Sequence, residues 1–302
     1  MRSEAATVRI KAPAKVNLTL EVIGRRSDGF HEIRSLVQGI DLCDELCMRS
    51  RAGDGVSLRC IGANLPTDSG NLVVQAIERL AEVAGRNEGI EVELRKRIPV
   101  AAGLGGGSSD AASALLAADA LWNLAWSRDE LAHLAAEIGS DVPLFFSMPS
   151  ALLTGHGERV EPKRLAWRGW IVLVSAELEV LTDRVYASWR PSDRHRDVEA
   201  APSGLLAAVT ADELAGYLHN GLQAAVQRAY PEMGCLLEEV GRRSERGAWI
   251  SGAGSTVYVP CDSADEATRL ADRLEGMGTA ATVRTVRTLD ETMHHHWMMH
   301  NH

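Results

Sequence analysis

The segment PVAAGLGGGSSDAA, residues 99–112, holds four glycines in five positions between a predicted strand and a predicted helix. Apolar residues alternate with charged ones over 90–94, which indicates the strand, and an alanine- and leucine-rich run over 108–122 indicates the helix. Glycine accepts positive φ and lets the backbone approach a ligand closely. We expect the helix to start at Ser108 or Ser109, so that its free N–H groups and positive dipole end face the loop. The segment therefore predicts a cradle for a polyphosphate.

Two common nucleotide-binding loops do not fit this segment. A P-loop requires Lys and then Ser or Thr after its last glycine, whereas Gly107 is followed directly by Ser108. A dinucleotide fingerprint requires G-x-G-x-x-G, and Ser108 stands where its last glycine belongs. A purely structural loop remains the alternative. Ser108 is a candidate N-cap, and Ser109 a candidate ligand of phosphate or of an accompanying magnesium ion.

Three other segments carry groups with possible chemistry. In APAKVNLTLEVIGRRSDGFHEI, residues 12–33, Lys15 and Asn17 belong to a predicted strand, where a lysine is usually a surface residue. In GSDVPLFF, Asp141 is either the N-cap of a short helix or a general base. ISGAGSTVYV, residues 250–259, is a second loop of small residues that could approach the first loop or a phosphate.

Composition excludes several classes of protein. The 302 residues include 32 basic and 41 acidic side chains, and the net charge of −9 argues against nucleic-acid or anionic-membrane partners. With 45% apolar and 24% charged residues, the chain is typical of a globular protein of two domains or one large one. No apolar run approaches the ~18 residues of a membrane span, and no signal peptide is recognisable, so we expect a cytoplasmic protein. Five cysteines without a C-x-x-C pair predict buried thiols.

The order of elements predicts an α+β fold. Strand and helix patterns are mixed without a regular βαβ rhythm, and a second half begins near Trp167 with a buried strand at 170–174. The last residues, ETMHHHWMMHNH, hold five of the ten histidines. Without an accompanying acid or rigid element, they indicate a disordered terminus rather than a metal site.

Three of these motifs in this order resemble the GHMP kinase superfamily: PAK-x-N-L, P-x-x-x-G-L-G-G-G-S-S, and S-G-A-G before a strand. The turn R-x-D-G-F-H-E, the string GSDVP and the helix start DSGNLVVQA are similar to the subgroup that acts on 4-diphosphocytidyl-2-C-methyl-D-erythritol. The resemblance covers residues 8–286. It implies a two-domain fold with the active site in the interdomain cleft. An ATP-binding N-terminal domain would span 1–165 and a C-terminal domain 166–288, followed by the His-rich tail at 289–302.

The resemblance also implies an activity and its residues. ATP with Mg²⁺ would phosphorylate the 2-hydroxyl of the cytidine diphosphate-linked methylerythritol, giving the 2-phosphate and ADP, in the non-mevalonate route to isoprenoid precursors. Asp141 would be the general base and Lys15 its partner; no magnesium ligand is assigned. Asn17 would reach the substrate hydroxyls, and Phe30, His31, Thr182 and Tyr186 would hold the cytidine end. The implied ATP-binding residues are Pro99, Val100, Ala101, Ala102, Gly103, Leu104, Gly105, Gly106, Gly107, Ser108, Ser109 and Asn71.

Two departures and two alternatives accompany this interpretation. Ser255 stands where the third motif usually has Pro, and Phe30 where Tyr is common. Another kinase of the superfamily, acting on mevalonate, homoserine or a sugar, would share the glycine loop but would not need the motif Gly29-Phe30-His31. A catalytically silent ligand-sensing or RNA-binding protein would need neither Lys15 nor Asp141. We expect a small-molecule substrate and a monomer or weak homodimer.

Overall fold

Strands and helices are mixed along the chain, as the α+β prediction requires. The structure, a computed structural model, describes residues 6–194, 201–277 and 281–291. The elements of the first half are β1 (Thr7–Asn17), β2 (Thr19–Arg25), β3 (His31–Arg51), β4 (Val56–Ile61), α1 (Leu72–Ala84), β5 (Gly89–Arg95), α2 (Gly106–Trp122), α3 (Arg128–Ile138), β6 (Ser150–Thr154) and β7 (Arg159–Pro162). Those of the second half are β8 (Trp170–Ala176), α4 (Thr182–Ser188), α5 (Ser203–Ala207), α6 (Ala211–Ala215), β9 (His219–Asn220), α7 (Gln223–Ala229), α8 (Pro231–Ser244), β10 (Trp249–Ile250), β11 (Thr256–Cys261), α9 (Ala264–Glu275) and β12 (Ala281–Arg287).

Two sheets organise the molecule. In the larger one, the long strand β3 pairs antiparallel with β1, β2, β5 and β6 at different points along its length. Strands β4 and β5 are parallel, and the two-residue strand β9 joins β2 in parallel. The smaller sheet is antiparallel, in the order β10-β11-β8-β12. Because β9 belongs to the second half of the chain, the halves interlock, and the boundary at 165/166 stays a prediction.

Helices α1 and α3 begin at the capping residues that their sequences provide. The Asn71 side chain accepts a bond from the Val73 N–H at 3.0 Å and caps α1. The pattern S-x-x-E at 127–130 is typical of a capping box, and Ser127 and Glu130 form one at the start of α3. Each cap satisfies backbone N–H groups that have no partner within the helix.

Helix α2 begins earlier than the sequence analysis predicts. Its first residue is Gly106, and its N-cap is Gly105 in the left-handed conformation with φ of 70°, without a side-chain cap bond. The predicted start at Ser108 or Ser109 and the N-cap role of Ser108 are therefore wrong. A left-handed glycine turns the chain into the helix within one residue, so no serine is needed to initiate it.

Three apolar clusters form the core, and one of them joins the halves. One lies between the larger sheet and α1, α2 and α3, and a second between the smaller sheet and α4, α7, α8 and α9. The third brings Val16 and Leu18 against Leu173 and Tyr258, which belong to strands of the smaller sheet. The buried Tyr258 hydroxyl donates to the Asn17 carbonyl at 2.9 Å. This contact fixes the end of β1 against the second half, beside the site described below.

Three remaining predictions concern the membrane, the cysteines and the tail. No helix within the described ranges is long and apolar enough to cross a membrane. The five cysteines are free thiols, and the prediction of burial is confirmed for Cys43 and Cys261 but wrong for the exposed Cys235, while Cys47 and Cys60 are half-buried. Leu289, placed in the tail by the sequence, is buried, and its N–H donates to the Gly39 carbonyl at 2.9 Å. The rest of the predicted tail, 292–302, lies outside the described residues.

Candidate active site

A cleft of about 1150 Å³ lies between the two halves of the molecule. The first half contributes Lys15, Asp141 and the glycine loop, and the second half contributes Tyr186 and Gly252. The structure thus shows a cleft between the two halves, where the sequence analysis expects the active site.

The two glycine-rich loops contact each other on one wall of the cleft. Gly103 has a φ of 72°, and a Cβ atom at this position would lie 2.0 Å from the Ser251 carbonyl oxygen. The Ser251 hydroxyl donates to the Gly103 carbonyl at 2.9 Å, and the Thr256 N–H donates to the Ala102 carbonyl at 3.3 Å. The expected approach of the second loop to the first is confirmed, and only glycine fits at the contact.

The N-terminus of α2 opens toward the same cleft. The Ser109 N–H donates to the Gly105 carbonyl at 2.9 Å, so the N–H groups of Gly106, Gly107 and Ser108 precede the first bond of the helix. These three residues line the cleft. Ser109 is fully buried, and within the described ranges its hydroxyl has no hydrogen-bond partner. A row of free N–H groups at a helix N-terminus attracts an anion, and an orphaned buried hydroxyl beside it suits a ligand oxygen or a metal ion.

A buried lysine beside the loop is paired with two carboxylates, so it adds no net positive charge to the loop. Lys96 lines the cleft, and a Cβ atom on Gly106 would lie 3.2 Å from its Nζ. The ammonium donates to Asp110 at 2.6 Å and is also bonded to Asp44, and all three side chains are almost entirely buried. Burial opposes its charge, but the two carboxylates overcome this effect and raise the pKa of Lys96. Burial raises the pKa of Asp110, and the nearby lysine opposes that shift. Sequence reasoning missed this cluster because its members are far apart in the chain.

Lys15 and Asp141 lie together on the cleft floor. The Lys15 Nζ is 3.9 Å from the Asp141 Oδ2 and donates to the Asn17 Oδ1 at 2.7 Å. The Asn17 amide donates in turn to the Ser35 hydroxyl at 2.8 Å. Lys15 is buried rather than on the surface, and burial lowers its pKa while the Asp141 charge partly restores it. The structure brings the two predicted catalytic groups within the range of an ion pair.

Asp141 does not cap the helix that follows it. Val142 occupies the N-cap position of the 3₁₀ turn Pro143–Phe146, and no side chain caps that turn. The Asp141 side chain is 37% exposed, and a Cβ atom on Gly157 would lie 3.2 Å from its Oδ1. Its carboxylate is thus open to the cleft, and the capping alternative no longer accounts for it.

Aromatic rings also line the cleft. The His31 ring lies 5.0 Å from the Tyr186 ring and 5.6 Å from the Trp189 ring, which meets it edge-on. Burial, with a smaller contribution from Arg25, lowers the pKa of His31, which favours the neutral imidazole. Burial and the Asp141 charge raise the pKa of Tyr186, so its phenol stays protonated. Sequence reasoning missed Trp189, which follows α4 by one residue.

Phe30 projects into the cleft from the turn before β3. It is 54% exposed, although its ring is stacked on that of His156 with centroids 4.7 Å apart and an angle of 25° between the planes. The His156 Nδ1 is 2.8 Å from the Ser140 hydroxyl. His156 belongs to the turn between β6 and β7, and its side chain lines the cleft.

The remaining predicted residues divide between the cleft and other positions. Thr182 is the first residue of α4 and lines the cleft. The Asn71 side chain caps α1 through its oxygen, and its NH₂ group donates to the Pro66 carbonyl at 2.9 Å. Its structural role as a cap is therefore established. Asn71 does not line the cleft. Within the described ranges, no cluster of three or more metal-ligating His, Cys, Asp or Glu side chains exists.

Comparisons with known proteins agree with this arrangement. Residues 71–148 match the GHMP kinases N terminal domain, and residues 205–279 match the GHMP kinases C terminal domain. The chain is 37% identical over 280 residues to the 4-diphosphocytidyl-2-C-methyl-D-erythritol kinase of Shouchella clausii (strain KSM-K16), covering 92% of this chain and 94% of the relative. It is 39% identical over 301 residues to the enzyme of the same name from Salinispora arenicola (strain CNS-205), covering 95% and 93%.

Solved structures give the same result. The crystal structure of a 4-(cytidine 5'-diphospho)-2C-methyl-D-erythritol kinase superposes with a TM-score of 0.76 at 34% identity, covering 93% of this chain and 99% of that one. A homoserine kinase from Cytophaga hutchinsonii superposes with a TM-score of 0.74 at 20% identity, covering 95% and 97%, which shows a shared fold. The chain is a small-molecule kinase and belongs to the GHMP kinases, in the family of 4-diphosphocytidyl-2-C-methyl-D-erythritol kinases.

Proposed function

We propose that this kinase transfers the γ-phosphoryl group of ATP to the 2-hydroxyl of 4-diphosphocytidyl-2-C-methyl-D-erythritol. The observation that carries the proposal is the placement of the Lys15–Asp141 pair in one cleft with the glycine loop on one side and the aromatic rings on the other. A triphosphate on the loop and a nucleobase among the rings leave the acceptor hydroxyl beside Asp141. Sequence identities of 37% and 39% to relatives named 4-diphosphocytidyl-2-C-methyl-D-erythritol kinase support this substrate.

Asp141 serves as the general base. A tertiary alcohol holds its proton tightly and is a poor nucleophile, so a carboxylate that accepts the proton during attack lowers the barrier. The acceptor oxygen forms the new bond to the γ-phosphorus, its proton moves to Asp141, and the bond from the γ-phosphorus to the bridging oxygen breaks to release ADP. The exposed part of the Asp141 side chain, 37%, supports contact with a bound alcohol.

Lys15 supplies positive charge to the same reaction centre. Its ammonium faces the Asp141 carboxylate at 3.9 Å and offsets negative charge on the attacking oxygen. Asn17 holds the ammonium through its Oδ1 and is itself held by Ser35, so the lysine cannot swing away from the carboxylate.

The nucleotide end fits the groups that the loop offers. The N–H groups of Gly106, Gly107 and Ser108 bind the phosphates. The orphaned Ser109 hydroxyl fits a phosphate oxygen or a magnesium ion. A bound magnesium ion supplies neutralisation of the phosphate charge.

The cytidine end is recognised by stacking and by one polar edge. Phe30 presents a half-exposed ring, and the rings of Tyr186 and Trp189 both contact that of His31. His31, with its neutral form favoured, offers one donor and one acceptor to the polar edge of a pyrimidine. Thr182 lies at the start of the helix that carries Tyr186.

The test is ADP release by the purified protein, followed through a coupled assay. We expect release with ATP and the cytidyl substrate together and background release with ATP alone. Release with mevalonate, homoserine or a sugar in place of the cytidyl substrate would overturn the proposed substrate. Absence of release with all of them would overturn the proposed activity.

A further inference from the structure

We propose that His156 is a positioning residue for nucleobase binding: its imidazole supports one face of Phe30 so that the opposite face can stack on the pyrimidine of the substrate. This inference rests on the function proposed above for the same cleft. It assigns a role to a side chain that lies more than a hundred positions along the chain from the turn it supports.

Phe30 has a fixed backbone and an open ring. Its N–H donates to the Asp28 carboxylate at 3.1 Å, and its carbonyl accepts a bond from the Arg26 N–H at 2.8 Å, so the turn itself is held. The side chain nevertheless remains 54% exposed in the cleft. An unsupported ring with this exposure would sample several rotamers. Ordering it on substrate binding would cost conformational entropy and weaken the affinity.

His156 provides the missing support. Its ring lies against that of Phe30 at 4.7 Å with planes only 25° apart, which is stacked rather than edge-on geometry. With one face of Phe30 covered, the remaining exposure belongs to the rest of the ring, including the opposite face. That face suits a flat heterocycle, which would complete a stack of three rings.

The His156 imidazole is itself held by a hydrogen bond to Ser140, the residue before the proposed base Asp141. The His156 Nδ1 is 2.8 Å from the Ser140 hydroxyl, and its backbone N–H donates to the Glu158 carboxylate at 2.7 Å. Its Nε2 is 3.6 Å from Glu158 as well. These contacts fix the imidazole relative to Ser140, which precedes the proposed base Asp141 in the chain. The support for Phe30 is thus connected to the segment that carries Asp141.

The first experiment measures binding in the full-length protein by titration calorimetry. Cytidine 5'-monophosphate is the probe, and a non-hydrolysable ATP analogue fills the other nucleotide site. We expect His156→Ala to raise the Kd for the probe about three- to tenfold, the range for a lost aromatic contact. His156→Phe keeps the ring and should stay within about twofold of the parent, whereas His156→Gln keeps a polar group without the ring and should resemble His156→Ala. His133→Ala, at an exposed position of α3 that does not line the cleft, is the matched control and should not change the Kd.

The second experiment divides the effect between kinetic constants. We expect the KM for the cytidyl substrate to rise by the same factor as the Kd in His156→Ala, with kcat and the KM for ATP within about twofold of the parent. An unchanged Kd in His156→Ala overturns the inference, as does tighter binding, because the imidazole would then occupy the site of the base. Loss of affinity in His156→Phe equal to that in His156→Ala also overturns it, since the hydrogen bond rather than the ring would matter. Should the parent protein fail to phosphorylate the cytidyl substrate, the proposed function falls, while the calorimetric series still decides the role of His156.

Discussion

The contact between the two glycine loops gives the sharpest test of the structure. Replacing Gly103 by alanine places a methyl group 2.0 Å from the Ser251 carbonyl oxygen and 3.0 Å from the Gly254 carbonyl oxygen, at a backbone φ of 72°. The left-handed conformation alone costs alanine about 1–2 kcal/mol. Ser251 must also move by about an ångström, which disrupts its bond to the Gly103 carbonyl and strains the bond from Thr256 to Ala102, each worth about 0.5–1.5 kcal/mol. We expect Gly103→Ala to lose about 2–5 kcal/mol of unfolding free energy.

Gly107→Ala is the matched control, because it adds the same methyl group four residues away. Gly107 is an exposed residue of the first turn of α2, and its Cβ atom would meet only the Leu72 Cδ1, at 3.9 Å. Alanine is the better helix former, so this variant should gain about 0.5–1 kcal/mol. Urea unfolding of both variants without nucleotide measures the two changes. A loss below about 1 kcal/mol for Gly103→Ala, or an equal loss for both variants, would refute the described packing of the loops.

Three further predictions concern the charged groups of the cleft. Asp141→Asn should lower kcat by about 10²–10⁴ while calorimetry shows ATP affinity unchanged; near-normal turnover would remove Asp141 as the base. Burial lowers the pKa of Lys15, so a reaction that needs its ammonium should lose kcat/KM as the pH rises, at a pH below the ordinary lysine pKa of 10.5. Lys15→Arg should move this loss of kcat/KM to higher pH. An unchanged pH profile would assign the loss to another group. Lys96→Met leaves the buried carboxylates of Asp44 and Asp110 without their cation and should cost about 3–5 kcal/mol in thermal unfolding. Adding Asp110→Asn should recover part of that loss, and strictly additive losses would contradict the pairing.

The sequence predicted those elements whose signals are local. Helix α3 follows its Ser127–Glu130 capping box, and β5 follows strict alternation. The longest strand, β3, was not predicted, because it is buried almost continuously from Ser35 to Ile40 and therefore lacks a period of two. It pairs with different partners along its length, and such environments depend on residues distant in the chain.

Residues 16–22 show a second limit of local signals. Apolar and polar residues alternate there, as in one strand with one buried face, but the structure divides the segment at Leu18, whose N–H donates to the Leu36 carbonyl between β1 and β2. The polar residues Asn17, Thr19 and Glu21 are buried as well, so the alternation indicated neither the burial of both faces nor the change of partner strand. The same reasoning explains why the start of α2 was placed too late: a glycine in the left-handed conformation leaves no side-chain signal at the helix start.

Site residues divide in the same way. Lys15, Asp141, Phe30 and the glycine loop belong to recognisable motifs, and the structure gathers them in one cleft. His156 and the Lys96 cluster have no motif, since each acquires its contacts only when distant segments meet. One local signal for His156 existed, because an imidazole between two glycines in a turn between strands has no packing reason to be there.

Under the proposed function, Lys15 acts on both Asp141 and phosphate. An ammonium has three donors, and among the described residues its one hydrogen bond is to Asn17, since the 3.9 Å to Asp141 exceeds hydrogen-bond distance; donors therefore remain for an anion. Burial disfavours the charged ammonium and lowers the pKa of Lys15. An anion entering the cleft beside Leu104, whose carbonyl already accepts the Lys15 backbone N–H at 3.0 Å, would meet those donors at the base of the glycine loop. Under the proposed function, binding of the phosphoryl group would then compensate part of the cost of burying the ammonium, while its attraction to Asp141 holds the two groups together at the reaction centre.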